Sequence, residues 1–123
     1  MTPPDPAAEA PRLPDAVELD LDGVGVVRGL LWPASGRAVL FLHAPGDDLD
    51  AWRDLPAAVS GATGFASLAL DLPGCGMSDD PARAWSLAGL LAAAGNTLGL
   101  PPSRCVVAAL GQTALDILAL DPA

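Results

Sequence analysis

Asp71-Leu72-Pro73-Gly74-Cys75-Gly76-Met77-Ser78 is the stretch on which the reading of the whole chain turns. A carboxylate, a proline, two glycines and a hydroxyl within eight residues make a tight loop, not a strand or a helix. Immediately before it, residues 65–70 form an unbroken, largely apolar run, the pattern of a strand covered on both faces. After it, residues 84–98 predict a helix that Gly99 and the Pro101-Pro102 pair bring to an end. A second buried run over residues 105–110 leads into a sharp turn at 111–113, and a helix follows over 114–120 until Pro122 stops it.

The same alternation extends towards the N-terminus. Residues 38–42 (Ala-Val-Leu-Phe-Leu) are a third continuous apolar run. A loop with Pro45 and Gly46 occupies 43–50, and residues 51–59 place Trp52, Leu55 and Val59 at helical spacing. Residues 17–21 alternate apolar and acidic side chains, Asp22-Gly23 is a turn signal, and 25–32 reads as a second strand, so the pair predicts a β-hairpin. Strands alternating with helices imply an α/β fold, with a mostly parallel sheet of about five strands, helices on both faces and an antiparallel N-terminal edge. Residues 1–15, with four prolines among the first eleven, read as a flexible leader, and 16–123 as one partial domain. In such folds ligands bind beyond the carboxyl ends of the strands, so chemistry is expected at three loops: 43–50, 71–80 and 111–113.

These loops resemble the signature loops of the α/β-hydrolase family. That family carries His-Gly after its third strand, where this chain has His43-Ala44-Pro45-Gly46. It carries Asp-x-x-Gly-x-Gly-x-Ser after the fourth, matched in full by Asp71, Gly74, Gly76 and Ser78. After the fifth comes a nucleophile elbow, Gly-x-Ser-x-Gly, for which this chain offers Gly111-Gln112-Thr113-Ala114-Leu115. The resemblance covers residues 17 to the end and implies the N-terminal half of an acyl hydrolase, an incomplete core.

The resemblance puts Thr113 at the nucleophile position, as a degenerate one. Its β-branch stiffens χ1 and crowds the tip of the turn, and a helix N-cap is the plainer role for it. Leu115, standing where the family has a glycine, is expected to force helix and strand apart. The oxyanion hole needs two backbone N–H groups. By resemblance these fall at Ala114 and Pro45, and proline has no N–H, a loss that costs about 3 kcal/mol of transition-state stabilisation unless a one-residue shift recruits Ala44 or Gly46. His43 is the only histidine. The resemblance gives it a structural part in its loop, not that of the general base, which the family draws from a later segment. Losing base or nucleophile costs on the order of a million-fold in turnover.

Composition excludes other classes. The net charge is −9, with six arginines and no lysine, which disfavours nucleic acid and anionic lipid as partners. No run of about 18 apolar residues and no secretory signal is visible, so a cytoplasmic protein with no membrane partner is expected. Cys75 and Cys105 share no metal-ligand spacing, and no metal or cofactor is expected. Gly74-x-Gly76 lacks the third glycine of a dinucleotide loop. Asp47, Asp48 and Asp50 read as a solvated loop that lends negative charge to the next helix. A sixth strand would cover residues Cys105 to Leu110, so that edge is expected to pair with another copy or a partner chain. Three functions remain open: a non-catalytic half domain acting as a binding module, a hydrolase half completed by another polypeptide, and a hydrolase using Thr113 with a water-borne base.

Overall fold

The computed structural model describes residues 13–120; the predicted leader lies mostly outside them. Five strands form one mixed sheet in the order β1-β2-β4-β3-β5. They are β1 (Asp15–Leu21), β2 (Gly25–Trp32), β3 (Ala38–Leu42), β4 (Ala66–Leu70) and β5 (Cys105–Ala109). The hairpin β1–β2 and the β2–β4 pair are antiparallel, whereas β3 runs parallel to both β4 and β5. The hairpin therefore makes the antiparallel N-terminal edge.

Three helices cover the sheet: α1 (Leu55–Thr63), α2 (Leu87–Leu98) and α3 (Gln112–Leu118). Strand alternation divides the core between the two faces. Leu40, Leu42, Leu68 and Leu70 join Leu90 and Ala94 of α2 and Leu19 of β1 on one side, with Ile117 of α3 packed against them. Phe41, Ala69 and Trp32 pack against Ala57 and Val59 of α1 on the other. There Trp52 meets Phe41 edge-on, with ring centroids 5.1 Å apart. Because β4 passes back across β3 to reach β5, α1 and α2 leave the sheet on opposite faces. The strand order puts the topological switch point, beyond whose strand ends such folds bind ligands, at β3.

Two helices start later than the sequence pattern predicts. Residues 51–59 do not form one helix. A 3-10 turn, Leu49–Trp52, is capped by the Asp48 carboxylate, which accepts from Asp50 N–H at 3.0 Å. Arg53 then takes φ 51°, and α1 begins only at Leu55. Pro56 is the cause: its ring would clash with the carbonyl of residue 52 in a continuous helix and is tolerated only in a first turn. Likewise α2 begins at Leu87 rather than residue 84, because Ser86 Oγ accepts from Gly89 N–H and fixes the start there. Its C-terminus closes as expected on Gly99 (φ 68°), with Leu100 N–H donating to Gly95 O.

Candidate functional site: three loops at the strand ends

The structure brings the three predicted loops together. Their frame is Asp71, 3% exposed at the end of β4. One carboxylate oxygen accepts from Leu49 N–H and the other from Met77 N–H, both at 2.8 Å, so a single side chain ties the first loop to the second. Gly76 (φ 51°) is required beneath it, because a Cβ there would collide with the Asp71 carboxylate. Ser78 Oγ donates to Asp71 O at 2.6 Å and accepts from Arg28 N–H at 2.8 Å, anchoring the loop's far end to β2. Gly74 (φ 78°) turns the chain between them. Beyond Ser78, Arg28 pairs with Asp79 at 2.9 Å. That hydrogen bond, helped by Val26 N–H, holds the Asp79 carboxyl below its ordinary range, and the Arg28 guanidinium above its own.

His43 is completely buried at the end of β3. Its Nε2 accepts from Leu72 N–H at 2.9 Å, which leaves Nδ1 as the protonated nitrogen, donating to Ala44 O at 2.7 Å. Both ring nitrogens are therefore engaged by backbone, and the ring bolts the first loop to the second.

Thr113 is 2% exposed and lies in the first turn of α3, not before it. It is not an N-cap: the cap position belongs to Gly111 and has no side-chain hydrogen bond. The threonine hydroxyl instead donates to His43 O at 2.9 Å, which joins the third loop to the first. Leu115 does not wedge helix from strand; it is 59% exposed and faces solvent. Ala114 N–H donates to Gly111 O at 3.0 Å within the turn, and Pro45 has no N–H to offer. Asp47 and Asp48 accept from nearby backbone N–H groups in their own loop. Among the described residues no three His, Cys, Asp or Glu side chains gather as a metal-ligand group.

Between the loops lies a cavity of about 160 Å³ lined by Pro45, Gly46, Leu72, Cys75, Trp85 and Thr113. Sequence reasoning had not placed Cys75 and Trp85 there: Cys75 carried the signal of a loop at a strand end, whereas Trp85 fell within the helix predicted over 84–98 and carried none. A larger groove, about 630 Å³, lies away from the loops between α2 and β5 and is lined by Leu91, Leu100, Val107 and Leu120. Cys105 also borders it, and burial pushes that thiol's pKa up. The outer edge of β5 is unpaired among the described residues, with Val106 54% exposed.

A mixed sheet in this order, flanked by helices and ending in these loops, has the fold of an incomplete α/β-hydrolase core. Solved structures with that fold superpose on most of the chain. An epoxide hydrolase from Vigna radiata is 20% identical with a TM-score of 0.69, over 87% of this chain and 35% of its own. The haloalkane dehalogenase DatA from Agrobacterium tumefaciens is 19% identical with a TM-score of 0.68, over 94% and 38% respectively. A thioesterase domain from the curacin biosynthetic pathway is 21% identical with a TM-score of 0.62, over 82% and 38%. The chain thus spans little more than a third of the length of these structures. No family model and no curated protein sequence matches it. Among the described residues no helix is long and apolar enough to cross a membrane.

Proposed function

We propose that this chain is an α/β-hydrolase-like half domain that does not catalyse by itself. One observation carries the reading: both nitrogens of its only histidine are engaged by backbone, Nε2 by Leu72 N–H and Nδ1 by Ala44 O. A ring held this way cannot take a proton from a hydroxyl at the third loop. The Thr113 hydroxyl is likewise turned to His43 O and closed off from solvent. The side chains at the strand ends hold the loops together, and Asp116, the carboxylate that borders the cavity with Thr113, is exposed and accepts from Gln112 Nε2 at 2.9 Å. The two free thiols, Cys75 and Cys105, support a reducing compartment such as the cytoplasm.

A second reading is supported by the open β5 edge and the apolar groove beside it. In that reading another polypeptide adds a strand to β5 and brings an acid and a histidine to the loops, completing an ester or amide hydrolase. Turnover of an activated acetate ester separates the possibilities. The purified chain alone is expected to match the buffer rate. Saturable turnover by the chain alone, abolished in Thr113→Ala, would overturn the first reading. Turnover that appears only with an added polypeptide would favour the second.

A further inference from the structure

We infer that the tip of the elbow is Gly111, not Thr113, and that the position from which a nucleophile would project therefore carries no side chain. This rests on the hydrolase-like reading of the three loops and goes beyond it by shifting the elbow's frame two residues towards the N-terminus.

Backbone geometry is the first ground. At a nucleophile elbow the reactive residue occupies a strained strand-to-helix turn. Gly111 holds φ 61° and ψ −140°, close to a region that glycine populates almost alone. It stands between β5, which ends at Ala109, and α3, which starts at Gln112. Thr113 is already inside the helix. The second ground is direction. Gly111 is exposed, and a Cβ built on it would come 3.0 Å from Ala44 Cβ, at the mouth of the loop carrying Pro45 and Gly46. The Thr113 side chain runs beneath that loop to a carbonyl.

The shifted frame, Ala109-Leu110-Gly111-Gln112-Thr113, also accounts for two observations that the original frame leaves unexplained. Leu115 falls outside the elbow, so nothing requires a small residue there, in keeping with its exposure. The donor following the tip becomes Gln112 N–H, which as the first residue of α3 has no acceptor within the helix, whereas Ala114 N–H is taken by Gly111 O.

Cysteine mapping tests the frame. Gly111→Cys and Thr113→Cys are each treated with iodoacetamide under native conditions, and alkylation is read by peptide mass, which separates the new thiol from Cys75 and Cys105. Cysteine at 111 is expected to react at least about a hundredfold faster than cysteine at 113, which would react only through local opening. Fast alkylation at 113 overturns the inference, and so does protection at 111 in a folded Gly111→Cys protein. Should Gly111→Cys not fold, pairing it with Ala44→Gly relieves the 3.0 Å approach, and fast alkylation at 113 is sufficient by itself to overturn the frame. Ester turnover by the unsubstituted chain would sink the non-catalytic reading while leaving this mapping intact, so the two failures are distinguishable.

Discussion

Asp71→Ala is expected to remove about 3 kcal/mol of folding stability, a shift of roughly a hundredfold in the folded-to-unfolded ratio. The carboxylate is nearly sealed from water and accepts two 2.8 Å hydrogen bonds from loops that share no secondary structure. Hydrogen bonds to a charged acceptor contribute about 1.5–3 kcal/mol each, and truncation leaves the Leu49 and Met77 N–H groups without their acceptor. Asp71→Asn is expected to cost nearly as much, because its amide nitrogen must face one of those two donors. Urea unfolding reads the effect as a lowered midpoint with an unchanged slope. A loss under about 1 kcal/mol would show that the loops are held by other contacts.

Gly76→Ala is the second large effect, expected at about 2–3 kcal/mol. Two costs combine. The residue sits at φ 51°, where an L side chain is strained, and its Cβ would land on the Asp71 carboxylate. The sites are therefore coupled, and a double-mutant cycle separates the terms. In the Asp71→Ala background the collision is gone, so the added glycine substitution should cost only about 1 kcal/mol, the left-handed backbone penalty. Strict additivity would mean that the two residues do not touch.

This loop was also the most legible part of the sequence. Asp71, Gly74, Gly76 and Ser78 are each fixed by a local demand, either a buried acceptor, a positive φ or a hydroxyl that donates to one strand and accepts from another. Such demands leave a residue type at a set spacing. Strands β3 and β4 were legible for a related reason, since continuous apolar runs of five or six residues mark strands covered on both sides, whereas the similar run in β5 is only partly buried, because β5 lies at the edge of the sheet with Val106 54% exposed. The start of α1 was not, because the apolar spacing of Trp52, Leu55 and Val59 runs through Pro56, and only the ring's clash with residue 52 decides where a helix can begin. The elbow was the least legible. Gly111 can stand either at the start of the motif, with Thr113 at the tip and Leu115 in place of the second glycine, or at the tip itself, between Ala109 and Thr113. Sequence spacing does not choose between them, because the choice rests on a backbone dihedral. The burial of Thr113 was equally hidden, since its partner is a main-chain carbonyl 70 residues away.

A common pattern runs through the site. His43, Asp71, Ser78 and Thr113 occupy positions or roles that suggest chemistry, and each binds the backbone of another segment. The loops are organised around structural hydrogen bonds, which is the physical ground for proposing that the chain does not catalyse on its own. The nitrogen-15 spectrum of His43 in the folded protein at neutral pH tests this most directly. The account predicts a proton on Nδ1 and none on Nε2, with a through-bond coupling from the Leu72 amide into Nε2. A His43 ring protonated at Nε2, or one with no coupling to Leu72 and open exchange with solvent, would contradict it.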